Sequence, residues 1–282
     1  MKLEGRRTSS NVDDRRSGAG RIAGLGIGGI VIMVIITLMM GGNPLEFISQ
    51  IGDMSQMGTE YAPSAEEDGM AVFASQILAG TEDVWTKEFE KMGRKYVPPR
   101  MVLYSRSTTS GCGSASSQTG PFYCPGDQTV YIDLSFFSEM QNKLGAGGDF
   151  AYAYVIAHEV GHHVQYLLGK LAEVQQKQRG MSQKESNQLN VRLELQADFY
   201  AGIWAYHDHK MYNSLEAGDI EEGLNAASAI GDDRLQMQSQ GYTVPDAFNH
   251  GTSDQRVRWL KKGATGGRVS DGDSFSPNYS SL

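Results

Sequence analysis

Residues 158–162 read His-Glu-Val-Gly-His, and no other five residues constrain the fold of this chain as tightly. On a helix, positions four apart share a face, so His158 and His162 can aim both imidazoles at one metal ion. Glu159 lies about 100° round the helix, beside such an ion rather than on it. This is the H-E-x-x-H pattern. A catalytic zinc needs a third protein ligand. The neighbours Val155, Ile156, Val160, Val164 and Leu167 are too apolar for a surface helix, and buried histidines without partners are costly. Gly161 costs about 1 kcal/mol relative to alanine in a helix interior, which a backbone packed close at that point would explain.

The longer pattern H-E-x-x-H-x-x-G-x-x-H is excluded, because Gln165 and Leu168 occupy its glycine and last histidine positions. His163 points away from the 158/162 face. The next source of a ligand is "LELQADFYAG", where Glu194 and Asp198 are four apart on a second helix. Glu194 can bind the metal while Asp198 accepts a hydrogen bond from the non-ligating nitrogen of His158 or His162; Asp198 as ligand is the alternative. An exposed acidic pair is the plainer reading, but Leu193, Leu195, Ala197, Phe199, Ala201, Ile203 and Trp204 describe a mostly buried helix, where unpaired acids are expensive.

Water attack on a carbonyl creates an oxyanion, which a donor besides zinc usually stabilises. His250 and Arg256 in "NHGTSDQRVRW" are the candidates; Arg256 as salt-bridge partner of a buried acid is the competing account. His207 and His209 are two apart, cannot share a helix face, and read as solvated helix-end residues. His250, Ser253 and Asp254 sit within one turn and cannot form a serine-triad relay.

The net charge of −8 on 282 residues is uneven. Residues 1–21 carry six basic and three acidic side chains, a net +3, so the remainder carries −11. A basic head on an acidic body argues against nucleic-acid binding, which needs a basic face on the folded part. Next comes an apolar run at 22–40 whose only polar side chain is Thr37, long enough as a helix to span the hydrocarbon core. The charges ahead of it predict a single-pass inner-membrane anchor, with residues 1–21 cytoplasmic and the body extracytoplasmic. A cleaved signal peptide is the alternative, but no A-x-A-like site follows. Gly24, Gly26 and Gly29 spell G-x-G-x-x-G inside this run, without the preceding strand a dinucleotide site requires. Gly20, Gly24 and Gly28, spaced by four, could let two anchors pack as a homo-oligomer, although scattered glycines in a membrane helix read the same way. In an oxidising compartment Cys112 and Cys124, the only cysteines, are expected to form a disulfide.

Residues 41–65 read as a linker. Residues 69–92 have a helical rhythm interrupted near Gly80, with a fresh helix start at Thr81. "RMVLYS", "GPFYC" and "QTVYIDL" read as strands, with a "PGD" turn between the last two. From Ser135 onward the pattern is helical. The motif helix is followed by a long helix opened by Ser182 and Glu185 in capping-box spacing, two shorter helices, and a last one capped by Thr252 or Ser253. Residues 263–282 lack an apolar face and are expected to be disordered. This makes an α+β domain over residues 66–262, mainly helical with a small sheet.

The segments "GRR…NVDDRR", "GCGSASSQTGPFYCPGDQTVYIDLSFF", "HEVGHHVQ", "RLELQADFYAG" and "HGTSDQRVRW" together resemble the bacterial neutral zinc metallopeptidases, over nearly the whole chain and in the same order. More distantly the chain resembles the gluzincin peptidases, whose third zinc ligand is a Glu in an E-x-x-x-D pattern. "ELQAD" matches it, which implies one Zn2+ on His158, His162 and Glu194, with Glu159 as base, in a zincin-like domain behind one transmembrane helix. Some membrane gluzincins also have a His followed six residues later by Arg, as His250 and Arg256 are, although their His-Pro-Pro is here His250-Gly251-Thr252. The resemblance implies an endopeptidase that holds an extended peptide or protein substrate along a sheet edge, with the strands around Cys124 and Val130 as the candidate. A zinc-stabilised interaction module and a zinc hydrolase of a cell-wall amide are the other readings. The intact Glu159 counts against the module, because a structural zinc does not need that base.

Overall fold

The structure is a computed structural model that describes residues 1–16 and 63–282. The expected span at 22–40 and nearly all of the expected linker lie outside the described residues. Among the described residues, no helix is long and apolar enough to cross a membrane.

The first long helix, α1 (Ala65–Lys91), begins at a capping box in which Ser64 and Glu67 satisfy each other's backbone N–H. It runs unbroken through Gly80 and Thr81, so the expected restart at Thr81 does not occur. The glycine marks a close approach instead: a Cβ there would lie 2.8 Å from both Arg6 Nη2 and Asp208 Oδ1. Thr81 turns its hydroxyl back onto the carbonyl of Leu78 and continues the helix.

Four strands form the main sheet: β1 (Val12–Asp14), β2 (Arg100–Tyr104), β5 (Phe122–Cys124) and β6 (Thr129–Asp133), in the order β1-β2-β6-β5. The first three in that order are parallel, and β5 is antiparallel to β6. Met101–Tyr104 and all of β6 are buried, the continuous pattern of strands covered on both faces. β3 (Ser107–Ser110) and β4 (Gly113–Ser116) make a separate polar hairpin. Its tip carries Cys112, which is bonded to Cys124 at the end of β5.

Seven helices follow: α2 (Ser135–Leu144), α3 (Asp149–Leu167), α4 (Lys170–Gln178), α5 (Gln183–Tyr212), α6 (Asp219–Ala229), α7 (Asp232–Gln240) and α8 (Ser253–Gly266). Helix α3 carries the His-Glu-Val-Gly-His motif through the centre of the core, buried along most of its length. Helix α5 starts at the expected Ser182–Glu185 capping box and packs on α3 and α8. Thr252 caps α8. The fold is mainly helical α+β.

Both ends of the chain depart from expectation. Residues 1–16 do not stand apart as a basic head; they lie on the body, with β1 completing the sheet. Residues 263–282 are ordered against it: Ser274 is fully buried and Leu282 nearly so. Leu282, Val269 and Tyr279 pack on the core, but they form no periodic apolar face, and polar contacts hold the rest of the tail. Arg192 donates to the carbonyls of Ser274 and Pro277, Gln196 to that of Gly272, and Arg258 to that of Leu282. The folded unit is therefore wider at both ends than residues 66–262.

Candidate metal centre and cleft

The crossing of α3 and α5 places His158 Nε2 3.1 Å from Glu194 Oε2 and His162 Nε2 3.4 Å from Glu194 Oε1. One ligand atom from each residue lies within 4.8 Å of the others. The crossing is close because position 161 has no side chain; a Cβ there would meet the backbone oxygen of Ala197 at 3.0 Å.

Both imidazoles are oriented from behind. His158 Nδ1 is 2.8 Å from Asp198 Oδ1, and His162 Nδ1 is 2.9 Å from Gln165 Oε1. Gln165 spends its amide N–H groups on Leu193 O and Gln196 Oε1, so its oxygen accepts from the His162 ring. With Nδ1 the donor in each ring, Nε2 is the free ligand atom, and both turn it towards Glu194.

Asp198 is fully buried and held by more than one residue. Arg256 donates to both of its oxygens at 2.9 Å, and the Tyr154 hydroxyl donates at 2.6 Å. Arg256, 2 % exposed, is thus turned onto the buried acid, as its salt-bridge reading describes. Tyr154 and Gln165 escaped the sequence reading. The available signal was spacing: Tyr154 is four residues before His158 and Gln165 three after His162, each one turn away along the helix.

The electrostatics favour a cation. Burial opposes a charged His158 ring, yet the Asp198 carboxylate and the bond from Nε2 to Glu194 raise its pKa to about 10, so Nε2 carries a proton that a bound metal ion would replace. Burial likewise opposes charge on the acids, but Arg256 and His158 bring Asp198 down to about 2. His162 and His158 hold Glu194 well below the usual carboxylate range. Two imidazole nitrogens and a carboxylate, fixed by hydrogen bonds from behind, fit the nitrogen–oxygen shell of zinc.

Glu159 is 8 % exposed, and burial raises its carboxyl above the ordinary range. It lines, with His158, His162 and Glu194, a cleft of about 750 Å3 whose walls include Phe122 and Tyr123 of β5. β5 stands at the end of the sheet order, paired on one side with β6.

His250 lines the same cleft with a side chain about half exposed. Its Nδ1 lies 3.1 Å from Asp232 Oδ1, and Asp232 Oδ2 accepts from the backbone N–H of His250 and Gly251. Asp232 was not anticipated; the acid pair after Gly231, in the first turn of α7, was the available signal. His163 is turned away from the site, between the Tyr123 hydroxyl and the Val97 carbonyl. His207 bonds to the Gly267 carbonyl and His209 accepts from the N–H of Leu215; neither lines the cleft.

Comparison with known proteins reaches the same ground. The sequence model of a family described as "Putative neutral zinc metallopeptidase" matches residues 1–275. The chain is 50% identical over 285 residues to an uncharacterized protein of Escherichia coli K12, YpfJ, covering 98% of this chain and 99% of that one. It is 44% identical over 191 residues to an uncharacterized protein of Mycobacterium bovis, Mb2605, covering 64% of each. No solved structure matches.

Proposed function

The chain belongs to the neutral zinc metallopeptidase family, and from that premise we propose that it is a zinc-dependent endopeptidase of gluzincin type. His158, His162 and Glu194 would hold one Zn2+. The observation that carries this reading is the convergence of those three ligand atoms within 4.8 Å, beside a cleft of about 750 Å3. When bound, zinc supplies Lewis-acid polarisation of the scissile carbonyl and of water. Glu159 takes a proton from the attacking water and returns it to the leaving amine. His250, its Nδ1 held by Asp232, donates from Nε2 towards the developing oxyanion. Asp198, Arg256 and Tyr154 keep the His158 ring in register. The side of β5 that is unpaired among the described residues pairs with an extended substrate backbone, so main-chain hydrogen bonds fix its direction.

The same reading places the body in an oxidising compartment, which the Cys112–Cys124 disulfide supports, and attaches the chain to the inner membrane through residues 22–40.

The test is mass-spectrometric profiling of a diverse peptide library with the full-length protein in detergent, wild type beside Glu159→Gln. Cleavage by the wild type alone, with one zinc per chain in both, is the expected result. Cleavage that persists in the variant, or zinc that stays bound after His158→Ala and His162→Ala, would overturn the reading.

A further inference from the structure

We infer that residues 1–16 occupy the same compartment as residues 63–282, so that the apolar run between them does not carry the chain across a bilayer in a single pass. The inference rests on how the amino-terminal segment is held and is independent of the peptidase reading.

Two buried carboxylates of the body take their hydrogen bonds from this segment. Asp208, on α5 and fully buried, receives both terminal nitrogens of Arg6 at 2.8 and 2.6 Å. Glu82, on α1 and 7 % exposed, receives Arg7 at 2.9 Å, the Ser9 hydroxyl at 2.5 Å and the Asn11 amide at 2.8 Å. Removing those donors would leave two acids buried and unpaired, among the costliest defects a core can carry. The body is also shaped for the segment. Gly80 lies in the middle of α1, where glycine is unfavourable, and a Cβ there would collide with the Arg6–Asp208 pair. Backbone pairing completes the attachment: β1 runs parallel to β2 from Val12↔Met101 to Asp14↔Leu103.

The same contacts explain why the charge pattern misleads. A basic flank before an apolar run signals cytoplasmic retention when its charges are free. Here Arg6 is paired with Asp208, Arg7 with Glu82 and Asp83, Arg15 with Asp13, and Arg16 with Asp14 and Asp68. Arg6, Arg7 and Arg16 reach acids of the body and serve docking, while Arg15 is neutralised within the segment. A single crossing at 22–40 would put β1 and β2 on opposite sides of the membrane, which their pairing forbids. Residues 41–62 hold Glu46, Asp53 and Glu60 and offer no second span to bring the chain back. Membrane attachment through 22–40 is then made from the side on which the body lies.

The two native cysteines are bonded to each other, so a new cysteine is the sole free thiol. Thr8→Cys and Ser10→Cys report on the segment, and Lys95→Cys on the body; all three positions are exposed. In spheroplasts of a bacterial host making the full-length chain, a membrane-impermeant maleimide should label segment and body reporters to the same fraction of their labelling after lysis. Labelling of the body reporter before lysis and of both segment reporters only after it, or the reverse, overturns the inference. Charge reversal tests the docking itself. Arg6→Asp and Asp208→Arg should each lower the melting temperature of the full-length protein, and together recover most of the loss. An Arg6→Asp variant that melts like the wild type would remove the physical basis of the inference.

Discussion

Asp198 stands behind His158, its Oδ1 2.8 Å from the imidazole Nδ1, while Arg256 grips both carboxylate oxygens from the far side. One acid therefore joins α5 to the rings of α3 and to the guanidinium of α8. Replacing it with alanine has two separable consequences. Zinc affinity should fall about 10- to 100-fold, the usual cost of losing a partner behind a metal-binding histidine. Stability should fall by about 3–5 kcal/mol, because Arg256 is left buried without its counter-charge. Adding Arg256→Met to Asp198→Ala should restore much of the stability and none of the affinity. Chelator competition and denaturant melts read the two effects apart, and joint recovery of both would contradict the positioning role.

Glu159 shares the cleft with the ligands, so Glu159→Gln removes the base and leaves the ligand set intact. Peptidase activity should fall by about 10^2- to 10^4-fold, the range for loss of a general base, with zinc stoichiometry and melting temperature close to wild type. Loss of zinc in this variant would mean that Glu159 is needed to hold the site together.

The His250–Asp232 pair gives a pH signature with a definite sign. The hydrogen bond to Asp232 raises the pKa of His250, against the opposing effect of burial. Because Nδ1 is committed to Asp232, Nε2 can donate to an oxyanion only in the protonated ring. Activity should therefore fall as pH rises through a value above that of an ordinary histidine. Asp232→Asn removes the charge that supports the imidazolium, so the alkaline limb of kcat/KM should move to lower pH, in step with the His250 titration followed by NMR. An alkaline limb that stays in place while the His250 titration moves would exclude this residue from catalysis.

Much of this site could be read from spacing alone. The four-residue steps from His158 to His162 and from Glu194 to Asp198 set two helix faces, and apolar neighbours required both helices to be buried. Asp198 escaped full assignment because its partners Tyr154 and Arg256 come from different helices, and no local pattern announces a three-way contact. The ends of the chain were misread for the same reason. Val12-Asp13-Asp14 has too few apolar residues to look like a strand, and its pairing with Met101–Leu103 is wholly non-local. The tail is held in large part by Arg192, Gln196 and Arg258 bonding to its carbonyls, a mechanism invisible to hydrophobic periodicity. Gly80 was read as a break because a glycine in a helix looks the same whether it interrupts the helix or seats a neighbour.

Cys112 ties the tip of the β3–β4 hairpin to Cys124, the last residue of β5, and β5 walls the cleft. Replacing both cysteines with serine should destabilise the protein by about 3 kcal/mol, as expected for a closed loop of this length. The loosened strand forms a wall of the cleft and supplies none of the three metal-site side chains, so KM should rise more than kcat falls while zinc content is unchanged. Equal loss of zinc would place the effect on the whole fold instead of the cleft wall.

Gly161→Ala sets two effects of opposite sign against each other. Within an isolated helix the change is favourable by about 1 kcal/mol. At this crossing the new methyl would sit 3.0 Å from the backbone oxygen of Ala197 and 3.1 Å from its Cα. Backbone atoms of a buried helix cannot swing aside as a side-chain tip can, so α3 and α5 have to separate. The histidines ride on one helix and Glu194 on the other, and separation pulls the ligand set apart. Overpacking of a tight core typically costs about 1–3 kcal/mol, which outweighs the gain in helix propensity. The variant should melt below the wild type and lose zinc to a weaker chelator, and Gly161→Val should be worse on both counts. An alanine variant that melts higher and keeps its zinc would show that the crossing has slack, and that the glycine is there for another reason.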